Sequence, residues 1–244
     1  MQWAKLARAE GRRHKVFTAS QADIFDSEAP VSERRRLWCI IRTTSDALDW
    51  QILTKRPERI VRVMDEDDLP DDFFLENFCW LGVSVENQQA AEARIPLLLK
   101  IPAEVRFLSC EPLLSSVDLR RVHLLFFNQY VFHEAWLDSL SVYSNGLPGI
   151  SWVICGGESG PDARAMESRW VRSLRDQCQT SAVSFFFKQW GEWLPSMCDG
   201  TPGQGQLLNC SDQPARVGKK SAGSLLDGRE WKQFPGCVRD EPRI

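Results

Sequence analysis

The chain has 244 residues, of which 43% are apolar and 26% charged, with a formal net charge of −3. That composition excludes a disordered chain, and the charge excludes a protein drawn as a whole onto nucleic acid. No run of roughly eighteen apolar residues occurs, so no membrane-spanning helix is expected.

The charged N-terminus, Met1 to Arg13, has no apolar signal core, which points to a cytoplasmic protein. Arg12, Arg13, Lys15 and Arg34 to Arg36 form the only basic cluster in this region. It is the one feature that would suit nucleic acid as a partner. Six short apolar runs then follow in order: 15–20, 50–54, 79–85, 105–110, 151–155 and 183–188. Each is rich in Val, Ile, Phe or Trp and apolar almost throughout, as strands covered on both faces are. Helical patterns separate them. Residues 32–43 place Leu37, Ile40 and Ile41 on one face, and 57–64 opens with a first-turn proline. Residues 87–99 start at Asn87, an N-cap type, and 168–180 repeat the pattern with Trp170, Val171, Leu174 and Cys178.

Two segments break the rhythm. The acidic 65–72 run reads as a solvated loop, and the aromatic 124–140 run reads as an inserted helix able to contact a protein partner. After residue 190 the chain turns Gly-, Pro- and polar-rich, with isolated Trp193, Trp231 and Phe234 expected to pack on the body. Strands alternating with helices imply an α/β fold with parallel strands. Six are too few for a closed eight-stranded barrel, so a partial TIM-like (β/α) barrel or an open doubly wound sheet is expected. The expected organisation is a barrel domain over 1–190, with an insertion near 121–149 and an extension over 191–244.

Parallel strands carry ligand sites at their carboxyl ends. Here every candidate strand runs into polar residues: Asp23 after the first, Lys55 and Arg56 after the second, Ser84 and Glu86 at the third. Glu111 follows the fourth, Gly156, Gly157, Glu158 and Ser159 the fifth, and Lys188 ends the sixth. Adjacent glycines after a buried strand permit close backbone approach to a ligand. The bland readings stay open beside this one. Lys55-Arg56 can open a surface helix, Glu86-Asn87 can cap one, and Glu111-Pro112 and 156–160 can be plain turns. The eight cysteines are scattered without a CxxC pair, and the three histidines do not group with other ligand types. Buried free thiols are expected, and no metal ligand is assigned.

The segments LTKRPERI, WLGVSVENQQAAEARIPLLL, VRFLSCEPLL, WVICGGESGPDARAM, WVRSLRDQC and FFFKQWGEW closely resemble a phage-associated family usually called the phage gene-product thirty-seven/sixty-eight family. The resemblance runs from about Trp3 to Trp193, with a weaker echo in KKSAGSLLDGREW. It implies a radical-SAM-like barrel whose relatives carry an N-terminal three-cysteine segment for a 4Fe-4S cluster and use S-adenosylmethionine (SAM). The second- and third-strand motifs are also similar to the spore-photoproduct-lyase branch of that superfamily, which implies SAM contacts near Lys55, Ser84, Glu86 and Arg94. The present sequence begins inside what looks like the family's first long helix and contains no CxxxCxxC. It is therefore expected to be an N-terminally truncated form that holds no cluster in the family's manner. Its alternatives are a non-catalytic phage-encoded partner module and a cluster-free barrel enzyme. In the enzyme, Lys55 or Lys188 would work with Glu111 or Glu158 in acid–base or Schiff-base chemistry. Across these readings the cofactor contacts are Ser84, Glu86, Arg94, Gly156 and Gly157, and the substrate contacts Asp23, Arg56 and Ser159.

Overall fold

The computed structural model describes residues 2–19, 22–76, 78–128, 131–141, 149–195 and 213–236. Among them, α1 (Gln2–Glu10) leads through Gly11, whose φ of 65° suits a helix end, into β1 (His14–Thr18). Then come α2 (Val31–Thr43), β2 (Leu48–Thr54), a 3₁₀ turn at Pro57–Arg59 and α3 (Ile60–Glu66). β3 (Cys79–Ser84), α4 (Gln88–Leu98) and β4 (Arg106–Cys110) continue the alternation. A hairpin of β5 (Val122–Asn128) and β6 (Val131–Leu137) intervenes before β7 (Trp152–Gly156), α5 (Ser168–Thr180) and β8 (Ser184–Gln189).

Six strands form one parallel sheet in the order β1-β2-β3-β4-β7-β8. The sheet is strongly curled into a partial, open barrel. Side chains alternate between its two faces. Val16, Trp50, Ile52, Leu81, Val83, Leu108, Val153, Phe185 and Phe187 join the main core with Ile41, Ile95, Val171 and Leu174 of the helices. Trp80, Phe107, Trp152 and Ile154 form a second, smaller core on the inner face, with Leu53 and Phe186 beside it. Gly82 lies opposite Phe107 in the ladder, and a Cβ there would meet the Phe107 ring at 2.5 Å. The missing side chain is what lets that ring fill the inner face.

The central strands β3, β4 and β7 are buried along their whole length, while β1 alternates. Continuous apolar runs are thus explained by two-sided cover, as the sequence pattern implied. The short strands β9 (Trp193–Leu194) and β10 (Ala215–Arg216) pair antiparallel, and a short helix, α6 (Lys219–Ala222), follows. Residues 231–233 then run antiparallel along β8: the Phe187 N–H donates to the Trp231 carbonyl (2.8 Å) and the Gln233 N–H to the Phe185 carbonyl (3.2 Å). Phe234 continues onto the inner face, its ring 5.2 Å from Trp152, with the Lys15 ammonium 4.7 Å from it.

Two expectations are corrected. Where a helix was expected over 124–140, residues 122–128 and 131–137 are paired antiparallel strands, because their Phe, Val and Trp content favours strands and each supplies the other's hydrogen bonds. A partner surface there would be a hairpin's, and the side chains of 125–134 lie outside the described residues. The 65–72 run is not simply solvated: α3 reaches Glu66, and the Asp67 side chain is fully buried against Arg34. The arginines of the N-terminal basic cluster each meet a carboxylate: Arg12 on Glu10, Arg13 on Asp49, Arg34 on Asp67, Arg35 on Asp68 and Arg36 on Glu33. Among the described residues no helix is long and apolar enough to cross a membrane.

Candidate functional site at the strand carboxyl ends

The alternation that builds the cores also sorts the polar strand ends. Trp80, Gly82 and Ser84 share the inner face, so the extended chain beyond carries Glu86 there too. Glu86 sits between two cations. Lys55 Nζ lies 2.6 Å from its Oε1, and an Arg94 guanidinium nitrogen 2.7 Å from its Oε2. The same Arg94 nitrogen donates to the Ser84 carbonyl at 2.8 Å, which ties α4 to the end of β3. Partial burial opposes ionisation of Glu86, but the Lys55 hydrogen bond and the Arg94 charge hold its carboxyl below the usual range. Asn87 caps α4, accepting from the Ala90 N–H at 2.9 Å.

A concavity of about 590 Å³ opens here, lined by Lys55, Glu86, Arg94, Pro112, Glu158 and Arg164 together with the first turn of α4. Glu158 is clasped by Arg164 through both side-chain oxygens (2.8 and 2.9 Å) and through the Arg164 N–H at 2.9 Å. These bonds bring its pKa down to about 2. Arg164 is a residue that sequence reasoning missed. Its only signal was an arginine soon after the Gly156–Gly160 turn. A larger concavity of about 870 Å³ lies elsewhere, between α4, α5 and the base of the hairpin, and contains none of the expected site residues.

The remaining expected residues fall into two further groups. Lys188 Nζ lies 3.2 Å from Glu111 Oε1, and Ser109 Oγ is 3.5 Å from Glu111 Oε2. Gly156 makes room for this pair, since a Cβ on it would lie 2.4 Å from Glu111 Oε1. The Glu111–Pro112 peptide is cis. Gly157 answers a different demand: a Cβ there would lie 1.9 Å from the Trp190 carbonyl oxygen. The space both glycines free is therefore filled by protein atoms rather than left open for a ligand. Gln189 locks this turn, donating to the Gly157 carbonyl (3.1 Å) and Ser159 Oγ (3.3 Å) and accepting from the Gly191 N–H (3.0 Å).

Asp23 and Arg56 form the third group, beside the end of β2. Asp23 accepts from Thr54 Oγ1 and from the Lys55 and Phe25 N–H groups, and meets Arg56 at 3.2 Å. Arg56 also pairs with Asp26 at 2.6 Å. Neither Asp23 nor Arg56 lines the concavity. Asp23 instead fixes the chain where Lys55 leaves the strand.

Among the described residues no three His, Cys, Asp or Glu side chains gather in a way that could hold a metal ion. A 4Fe-4S cluster does not fit the described cysteines. Cys39 stands exposed on α2, and Cys79, Cys110, Cys155 and Cys178 are buried. Burial pushes their thiols up, Cys178 to about 12, whereas iron needs accessible thiolates. Cys198, Cys210 and Cys237 lie outside the described residues.

A partial (β/α) barrel with a charged pocket at the carboxyl ends of its strands defines the class. The chain belongs to a family of proteins of unknown function (DUF5131), whose model matches residues 1–235. No curated protein and no solved structure matches it.

Proposed function

We propose that the chain is a small-molecule-binding half-barrel whose rim pocket holds a ligand bearing an α-amino-acid head group, with SAM as the ligand that the radical-SAM-like resemblance implies. The observation that carries this reading is a charge imbalance in the pocket. Among the described residues lining it, the charges are Lys55, Arg94 and Arg164 against Glu86 and Glu158, and the N-terminal turn of α4 adds its positive dipole end. The excess cation suits a carboxylate. Glu86, held ionised on the same wall, suits an ammonium or sulfonium group. Ser84 contributes through its carbonyl, which keeps Arg94 in place. Glu111 and Lys188 sit further along the inner face, where they can receive or supply a proton to the body of a ligand. The motifs LTKRPERI and WLGVSVENQQAAEARIPLLL support a phage association and a kinship with radical-SAM enzymes for the same chain.

Isothermal titration of the chain with SAM, S-adenosylhomocysteine and methionine tests the reading. Binding of SAM with a dissociation constant in the micromolar range, weakened about tenfold or more by Arg94→Ala, is the expected result. Absence of heat and of thermal stabilisation with all three compounds would overturn it.

A further inference from the structure

Among the described residues one edge of the curled sheet is covered and the other is not. Residues 231–233 pair along the outer edge of β8, whereas β1 has a paired strand on one side only among the described residues. The register shows which peptide groups that leaves free. The His14 N–H donates to the Ala47 carbonyl at 3.0 Å, so His14, Val16 and Thr18 turn their peptide groups toward β2. By alternation Lys15 and Phe17 turn theirs outward. The surface around this edge is apolar: Phe17 is 43% exposed, and Trp3 and Leu6 of α1, which packs on β1 and β2, are 59% and 48% exposed. Natural edges are usually blunted by charge, bulge or cover, and a bare one is a template for pairing.

We propose that the free edge of β1 pairs antiparallel with the same edge of a second copy of this chain, about a two-fold axis at Val16. The choice of occupant follows from self-complementarity. A two-fold at Val16 sets Lys15 opposite Phe17 of the partner subunit, and Phe17 opposite Lys15 of the partner subunit. These are the residues whose peptide groups face outward, so they form hydrogen-bonded pairs, about four inter-chain bonds in all. Each pair sets an ammonium beside a ring, a contact that Lys15 already makes with Trp80 and Phe234. The neighbouring registers fail. A two-fold at Lys15 opposes like charges. A two-fold at Phe17 requires Ala19 to extend the strand, but Ala19 has a φ of 56°. A parallel pairing of identical edges has no closing two-fold and would generate open assemblies.

Sedimentation velocity of the full chain over roughly 1 to 100 μM tests this, with hydrogen exchange read at the same concentrations. The expected result is a monomer–dimer equilibrium in which exchange of the Lys15 and Phe17 N–H groups slows as the dimer forms. Phe17→Lys opposes two lysine pairs across the axis and is expected to weaken the dimer about tenfold or more. Lys15→Glu combined with Phe17→Lys makes those pairs attractive and restores it. Both side chains are solvent-exposed, so circular dichroism of the variants is expected to match the wild type. A monomer at every concentration leaves the edge to some other extended segment and overturns the proposal. So does a dimer indifferent to Phe17→Lys, a double variant that stays monomeric, or edge amides that exchange as fast in the dimer as in the monomer.

Discussion

Arg34 on α2 and Asp67 just beyond α3 form an ion pair with both side chains buried. Arg34 Nε lies 2.9 Å from Asp67 Oδ2 and a terminal nitrogen 3.0 Å from Oδ1. Trp38 Nε1 donates to the same carboxylate at 2.8 Å, and Arg34 also reaches Glu66 and the Ala29 carbonyl, each at 2.9 Å. Both carboxylate oxygens and all three guanidinium nitrogens thus have partners, the condition under which buried charge is tolerated.

Asp67→Ala is expected to destabilise the fold by about 3 kcal/mol, because the buried Arg34 guanidinium loses its two-point partner and keeps only the more exposed Glu66 carboxylate, and Trp38 Nε1 loses its acceptor. Urea unfolding monitored by tryptophan fluorescence measures it. A loss under about 1 kcal/mol, the range of an exposed ion pair, would show that the pair is not buried in solution.

Gly82→Ala is expected to cost about 1–3 kcal/mol by overpacking the inner face against Phe107. Combining it with Phe107→Leu is expected to recover part of the loss, since the smaller side chain vacates the position the new methyl needs. Thermal melts of the two single variants and the double variant give the coupling.

The Glu158 carboxyl, clasped by Arg164, is expected to titrate near pH 2 rather than in the ordinary range near 4.5. A carboxyl with a depressed folded pKa contributes stability above its unfolded value, and that contribution fades as pH falls from the ordinary range through about 2. Carbon-detected NMR titration of the side chain reads the midpoint directly. Arg164→Ala is expected to move it up toward the ordinary value, and an unmoved midpoint would assign the shift to another cause.

Gln233 anchors the C-terminal strap. Its side-chain oxygen accepts from the Phe185 N–H at 2.9 Å and from Gln179 at 3.0 Å, while its carbonyl accepts from Trp152 Nε1 at 2.9 Å. Gln233→Ala leaves the Phe185 amide unpaired and is expected to cost about 1–3 kcal/mol. Amide exchange at Phe185 should accelerate more than at Val153 on the neighbouring strand.

Thiol labelling of the folded chain followed by peptide mass spectrometry is expected to modify Cys39 within the time in which Cys79, Cys110, Cys155 and Cys178 stay protected. The four are buried and their thiols are pushed away from the reactive thiolate form. Rapid labelling of Cys110 or Cys155 would show that the sheet beneath the helices opens readily.

Local chemistry made much of this legible. The six apolar runs became the six parallel strands, Asn87 became an N-cap, and 168–180 became α5 to the residue. Two-sided burial writes a continuous apolar run into a strand, and amphipathic spacing writes a helix. The hairpin at 122–137 was not legible as strands, because an apolar run of that length satisfies either period until a partner strand settles it. The gathering of polar strand ends at one rim follows from parallel topology. Which of them share a pocket does not.

By itself, the order of residues determined the six sheet strands, the helices between them and the polar character of the strand ends, which depend on neighbours within a few positions, and the alternation of the two implied a parallel sheet. Only the tertiary structure decided that Lys55, Glu86 and Arg94 meet as one group, that Gly156 and Gly157 admit protein atoms, that Asp67 is buried, and that β1 pairs on one side only among the described residues. Those outcomes depend on the curl of the sheet and on distances between segments far apart in sequence, which no local pattern encodes.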